Sequence, residues 1–326
     1  MKLAVPLSAP GEAKLLHEAG ASEFYCGLQT IEWQKMFGNH DSISRRQGRA
    51  NLSSFDDLNK VVFESGLLGA PIFLTLNGTY TEDQLPLALE TAEFFQEMGG
   101  DGLMISDISL LLLLKKRKSK LIRGLSLMAA VSNCAAINFY LDLGVSRIVF
   151  PRFLSPEQIA LMMKNNPHVQ AETIILFDKC RFIDGYCRFL HTVGYQDYSG
   201  AAKSHINQCL FAYDTTYKLP ACSELLGSPA ERPACGACFA SELDQAGVSI
   251  FKIGGRGTPL DVRLSGVRFF AAIRKESSCD NDLEKYHHDA ARGAATQFIY
   301  KNTKEIKELY RHSFGVCCDE KECYYA

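Results

Sequence analysis

Eight short runs of aliphatic and β-branched residues recur along the chain, and amphipathic stretches with helical spacing separate them. Such alternation is typical of βα units, in which helical crossovers join parallel strands. Eight of these units predict a closed (β/α)8 barrel, a TIM-barrel-like α/β fold. The predicted strands are 3–7, 23–27, 72–76, 102–105, 125–129, 147–150, 173–177 and 249–253. We expect a single domain over residues 1–326.

Capping signals help to place the helices between these strands. Ser53 and Ser54 precede one predicted helix, and Asp56 and Asp57 follow in its first turn, where carboxylates favour the positive helix end. The predicted helices are 12–19, 55–64, 81–98, 155–164, 260–275 and 282–309.

One long segment, 178–240, interrupts the alternation between strands seven and eight. It has weak periodicity and contains many glycines and prolines. A loop of this length inside a compact domain is usually functional. In a barrel it would leave the carboxyl end of a strand, the face on which barrel enzymes carry their sites. Six of the chain's twelve cysteines fall within it: Cys180, Cys187, Cys209, Cys222, Cys235 and Cys238.

These cysteines favour a metal centre, because we expect a cytoplasmic protein with neither a secretion signal nor a membrane span. Thiolates select iron–sulfur clusters and zinc over hard cations. The compact C-x-x-C of a zinc ribbon occurs once in the segment, at Cys235 and Cys238, and spread ligands fit a cluster better. Zinc is the alternative. Buried free thiols are a further interpretation, which we favour for Cys26 and Cys134.

Polar side chains follow several predicted strands and would meet at the same mouth of the barrel. Arg152 and Arg256 could hold a carboxylate substrate in bidentate fashion, with a structural ion pair at the rim as the alternative. Asn77 and Asp107 could line the pocket or cap the helices that follow. The set is Asn77, Asp107, Asn133, Arg152 and Arg256.

The charge and the carboxyl-terminal part add two expectations. The formal net charge of −2 gives no general attraction to nucleic acid, so a small-molecule substrate is favoured over RNA. Residues 280–326 are expected to contain a helix and then a tail with Cys317, Cys318 and Cys323. A second metal site, a redox disulfide and free thiols are all open interpretations of that tail.

Nearly the whole chain resembles the U32 family, historically called collagenase-like peptidases. Besides the cysteine spacing, Glu172 stands eight positions before Cys180, and six residues separate Cys180 from Cys187, as in the family signature. The blocks that carry the resemblance are 3–28 (LAVPLSAPGEAKLLHEAGASEFYCGL), 44–58 (SRRQGRANLSSFDDL), 74–85, 99–111, 144–159 and 247–256 (GVSIFKIGGR).

The resemblance implies a [4Fe–4S] cluster bound by Cys180, Cys187, Cys209 and Cys235, with Glu172 as a catalytic or cluster-supporting carboxylate. It also implies oxygen-independent hydroxylation of a small molecule or RNA, and a second U32-type subunit as a heterodimeric partner. The sequence departs from the family pattern, since Leu176-Phe177 replaces a His-Gly pair. The alternatives are therefore a non-catalytic iron–sulfur or electron-transfer partner, and a peptidase as the family name suggests.

Overall fold

The predicted barrel is confirmed. The computed structural model describes residues 1–38, 43–46, 48–177, 185, 235–276, 298–315 and 317. Eight parallel strands pair in chain order, and the last pairs with the first to close the sheet. They are β1 (Lys2–Pro6), β2 (Glu23–Gly27), β3 (Ile72–Leu76), β4 (Gly102–Ile105), β5 (Ile122–Leu125), β6 (Arg147–Phe150), β7 (Gln170–Leu176) and β8 (Val248–Ile253).

The fifth strand lies earlier than the predicted 125–129. Strand β5 ends at Leu125, and Leu127–Ala129 forms a short 3-10 helix instead. Ser126 explains the boundary, because its hydroxyl accepts a hydrogen bond from the Met128 N–H at 3.3 Å and caps the turn. The prediction was wrong here because the residues of the turn continue the aliphatic pattern of the strand.

Helices cover the outside of the barrel, and Ser54 caps one of them as predicted, since its hydroxyl accepts from the Asp57 N–H at 3.1 Å. The predicted helix 81–98 begins later, at Leu85. The helices are α1 (Ala13–Glu18), α2 (Ile31–Phe37), α3 (Phe55–Leu67), α4 (Leu85–Glu97), α5 (Ile108–Lys116), α6 (Cys134–Asp142), α7 (Pro156–Asn165), α8 (Ala240–Gln245), α9 (Leu260–Ile273) and α10 (Thr303–Phe314).

Alternation along the strands divides the core into two parts. Side chains such as Ile72 and Leu74 point outward and belong to the large apolar core beneath the helices. Phe73 lies between them in sequence, so it points into the barrel. There it joins a separate small cluster of Tyr25, Phe73, Met104, Val149 and Ile174. The barrel is therefore filled by side chains and is not an open channel.

The carboxyl-terminal part corrects the predicted helix 282–309. Strand β9 (Arg274–Glu276) pairs antiparallel with β10 (Phe298–Tyr300), so the helix that follows starts only at Thr303. Asn302 sets this start through a capping box with Glu305. Residues 277–297 lie outside the described part of the chain.

None of the helices in the described part of the chain has both the length and the apolar character that a membrane span requires.

Candidate functional site

Cys235 lies at the face formed by the carboxyl ends of the strands. It makes an isolated antiparallel bridge with Leu176, the last residue of β7, and the Gly236 N–H donates to the Ile175 carbonyl at 2.8 Å. Its sulfur accepts a hydrogen bond from the Ala237 N–H at 3.3 Å, and Cys235 is 8% exposed. The chain that leaves β7 therefore returns to the end of the same strand.

The other three predicted ligands, Cys180, Cys187 and Cys209, fall outside the described residues. Within the part of the chain that the structure describes, no three His, Cys, Asp or Glu side chains converge as a metal site. Cys238 packs half-buried against the core near Cys235. The four-cysteine ligand set stays a prediction, and one member is placed at the barrel mouth.

Arg256 is held at this mouth by several hydrogen bonds. It follows β8 and is buried, and its Nη1 atom donates to Thr75 Oγ1 at 2.7 Å, Ser44 Oγ at 3.2 Å and Asn51 Oδ1 at 3.2 Å. Thr75 Oγ1 in turn donates to the Cys26 carbonyl at 2.9 Å. The three acceptors of Arg256 named here are neutral side-chain oxygens, and together they fix the position of the guanidinium.

Gly27 at the end of β2 makes room for this arrangement. A Cβ atom at this position would stand 2.1 Å from both Arg256 Nη1 and Asn51 Oδ1. Such a distance is far inside van der Waals contact, so any side chain here displaces Arg256 or Asn51. The glycine is required by close approach inside the barrel and not by an unusual backbone angle.

The loop between α2 and α3 supplies part of the mouth, and further hydrogen bonds hold it to residues that follow β3 and β5. The Arg45 N–H donates to Asn77 Oδ1 at 2.9 Å, and Asn77 Nδ2 donates to Ser126 Oγ at 3.2 Å. Ser44 donates its hydroxyl proton toward Asn51 Oδ1 at 2.7 Å. Asn77 therefore lies in the mouth and holds the loop there, rather than capping a helix.

Three further residues predicted at strand ends have different roles. Asp107 caps α5, because its Oδ1 accepts from the Leu110 N–H at 2.9 Å, and Asn133 caps α6 through the Ala136 N–H at 2.9 Å. Capping, the alternative raised for Asp107, is thus confirmed. Arg152 follows β6 and is partly exposed on the same face as Arg256.

Glu172 lies deeper, inside the barrel, in a network of four charges. Arg147 Nε donates to Glu172 Oε2 at 2.5 Å, and Lys252 Nζ donates to Glu172 Oε1 at 2.8 Å. Arg147 also pairs with Glu23. Each cation lies over an aromatic ring. Arg147 Cζ is 4.4 Å from the centroid of the Phe73 ring, and Lys252 Nζ is 3.9 Å from the centroid of the Tyr25 ring. Two carboxylates and two cations make the network neutral as a whole.

Burial and charge pairing oppose each other in this network. Burial alone would raise the pKa of Glu172, but Arg147 and Lys252 outweigh it and hold that pKa below its usual range. Burial lowers the pKa of Lys252, and Glu172 counteracts that decrease. Burial would also lower the pKa of Arg147, yet Glu172 and Glu23 raise it overall. Glu172 is therefore an ionised carboxylate with both oxygens engaged.

Sequence reasoning did not single out Glu23, Arg147 or Lys252. A signal was present, because all three are ionisable residues within otherwise apolar predicted strands. In the same strands, Phe24 and Phe251 lie in the outer core, so the alternation turns Glu23 and Lys252 inward. Lone charges are almost never buried, so inward positions imply partners across the barrel.

The sequence profile of peptidase family U32 matches residues 10–309. Two curated relatives are both named "tRNA hydroxylation protein P". The one from Escherichia coli is 25% identical over 139 residues, which is 43% of this chain and 31% of the relative. The one from Haemophilus influenzae is 24% identical over the same length, 43% of this chain and 30% of the relative. The aligned part thus spans about a third of each relative.

Among solved structures, a U32 peptidase superposes with a TM-score of 0.43 at 13% identity, over 54% of this chain and 68% of that one. A KDPGal structure superposes with a TM-score of 0.43 at 10% identity, over 83% of this chain and 91% of that one. The profile match spans most of the chain and includes every barrel strand from β2 onward. The chain therefore belongs to peptidase family U32.

Proposed function

We propose that this chain is an iron–sulfur protein of the U32 type that acts in oxygen-independent hydroxylation at the barrel mouth. Cys180, Cys187, Cys209 and Cys235 would hold a [4Fe–4S] cluster there. The observation that carries the proposal is the position of Cys235, bridged to the end of β7 on the face where barrel enzymes place their chemistry.

The surroundings of Cys235 suit a thiolate ligand. The Ala237 N–H points at its sulfur at 3.3 Å, and hydrogen bonds to sulfur stabilise the anionic form that binds metal. Low solvent exposure would protect a bound cluster from water. When bound, such a cluster supplies electron transfer or activation of a donor molecule. Zinc on the same four thiolates is the alternative occupant.

Arg256 and Arg152 would bind an anionic group of the substrate at this mouth. Arg256 is held in place before any ligand arrives, so an anion bound beside it would not have to order a flexible side chain. Arg152, on the same face, would be the second binding group. Glu172 would act from inside the barrel, beneath the mouth, by holding Arg147 and Lys252 in position, since both of its oxygens are engaged.

The names of the curated relatives support hydroxylation, and the charge of this chain supports a small molecule over RNA as its substrate. A second U32-type subunit would be the partner. A comparison of the isolated chain with the reconstituted pair tests this, because hydroxylation by the pair alone would make this chain the iron–sulfur partner. Casein digestion by the cluster-loaded protein would instead favour a peptidase.

Anaerobic purification followed by iron and acid-labile sulfide analysis tests the cluster. We expect about four irons and four sulfides per chain with a broad visible absorption, as the [4Fe–4S] composition requires. Alanine at each of the four proposed ligands should abolish that absorption. Cys26→Ala is the matched control, since this thiol is buried in the outer core, and it should retain the absorption. A colourless protein with one zinc and no sulfide would refute the cluster.

A further inference from the structure

A cleft with a volume of about 530 Å³ lies on the outside of the barrel, between α2, the start of α3, and α4. Its volume falls within the range of roughly 300–1,000 Å³ that is usual for ligand pockets. The walls are predominantly apolar and aromatic: Leu28, Trp33, Ile43, Phe55, Leu87 and Phe94. This composition is typical of a binding site for an organic molecule.

The apolar surface continues beyond the cleft. Ile31 and Met36 on α2 are 56% and 55% exposed, and Phe94 on α4 is 41% exposed. The Phe94 ring meets Phe55 edge-on, with ring centroids 5.5 Å apart. Exposed apolar residues that line one concave surface are a mark of binding sites, whereas scattered ones need no explanation.

The charge of the cleft has one sign. Glu32, Asp56 and Glu90 line it, and the described lining includes no Lys, Arg or His. Glu32 and Asp56 lie in the first turns of α2 and α3, whose amino ends carry about half a positive charge each. Three carboxylates against roughly one positive charge leave about two negative charges. Glu90 lies in the middle of α4, so no helix end compensates it.

We infer that this cleft binds an organic cation with an apolar body, such as an alkyl- or arylammonium compound. The apolar walls would hold the hydrocarbon part. The carboxylates at the rim and the aromatic faces of Trp33, Phe55 and Phe94 would attract the ammonium group. Neither an anion nor a neutral hydrocarbon would gain both interactions.

This site is distinct from the mouth, although one loop contributes to both. Ile43 lines the cleft, while its neighbour Ser44 accepts the hydrogen bond from Arg256 inside the barrel. Binding in the cleft can therefore be measured without any assay of hydroxylation, and its outcome does not depend on whether the cluster is present.

Trp33 provides a direct reporter, because it is the only tryptophan of the chain. The protein is titrated with hexyltrimethylammonium, and its tryptophan emission is recorded. Hexanesulfonate has the same chain length with opposite charge and serves as the control ligand. We expect a saturable change in emission and an affinity for the ammonium compound about tenfold above that for the sulfonate. Saturation-transfer NMR on the ligand methyl groups detects binding that leaves the emission unchanged.

Substitutions in the rim complete the test. Glu90→Gln should lower the affinity for the ammonium compound about two- to fivefold, which is the effect of losing one exposed ion pair. The affinity for hexanesulfonate should not decrease. Glu97→Gln on the same helix is the matched control, because Glu97 is exposed but does not line the cleft, and it should change nothing. Equal affinity for the two ligands, equal behaviour of the two variants, or no binding by either method would overturn the inference.

Discussion

Removing the carboxylate of Glu172 should destabilise the barrel strongly. Glu172→Gln keeps the size of the side chain but leaves Arg147 and Lys252 with only Glu23 to balance them. The network is neutral in the native protein and carries one uncompensated positive charge in the variant. That charge is buried, so water solvates it poorly. Breaking a buried ion pair from one side typically costs about 3–5 kcal/mol of unfolding free energy.

A second substitution separates charge balance from lost contacts. Lys252→Met removes the cation that pairs with Glu172, and the double variant restores neutrality. If charge balance dominates, the double variant should be more stable than the sum of the single changes predicts, by about 1–3 kcal/mol. Packing alone would make the two effects additive.

Equilibrium urea unfolding followed by far-UV circular dichroism measures these differences, with Glu18→Gln as the control. Glu18 is exposed and pairs with Lys14 at 3.9 Å, so its loss should change the unfolding free energy by less than about 1 kcal/mol. The reasoning would be refuted if Glu172→Gln cost no more than Glu18→Gln, or if the cycle showed no coupling.

Three further outcomes are expected. Gly27→Ala should cost about 2 kcal/mol or more by displacing the mouth guanidinium, whereas Gly66→Ala, whose new Cβ meets no atom within 4 Å, should be neutral or slightly stabilising in thermal melts. The pKa of Glu172 in the folded protein lies below its ordinary value near 4.5, so its contribution to the unfolding free energy is full above that pH and is lost as the pH falls through the folded pKa. Unfolding free energies measured across the acid range should show this loss, and Glu172→Gln should flatten the dependence. Burial raises the pKa of Cys26 to about 12, so iodoacetamide at pH 8 should spare Cys26 in the folded protein and modify the exposed Cys317, as peptide mass mapping would reveal.

The barrel could be predicted from the sequence because each strand is a short apolar run between helical stretches. The boundaries that failed have local causes. Ser126 ends β5 through a single hydrogen bond inside a continuous aliphatic run. Within the predicted helix 282–309, Phe298–Tyr300 is instead a strand paired with β9, since tertiary pairing overrides local propensity.

The site was predictable only where it depends on position along a strand. Placing Arg256 and Asn77 at the mouth follows from where β8 and β3 end. The partners of Arg256 could not be predicted in the same way. Ser44 and Asn51 come from a loop, and no periodicity in the sequence indicates its path across the barrel. Glu172 was expected to be a catalytic or cluster-supporting carboxylate, and no sequence pattern identifies Arg147 as its partner from another strand.

The bridge between Leu176 and Cys235 brings the two ends of a long excursion of the chain side by side. Closing such an excursion costs entropy that grows only logarithmically with its length, by about 0.6 kcal/mol per doubling. The pairing at Leu176 returns the chain to the end of β7, so the position of Cys235 at the mouth depends on this local pairing and not on the number of residues before it.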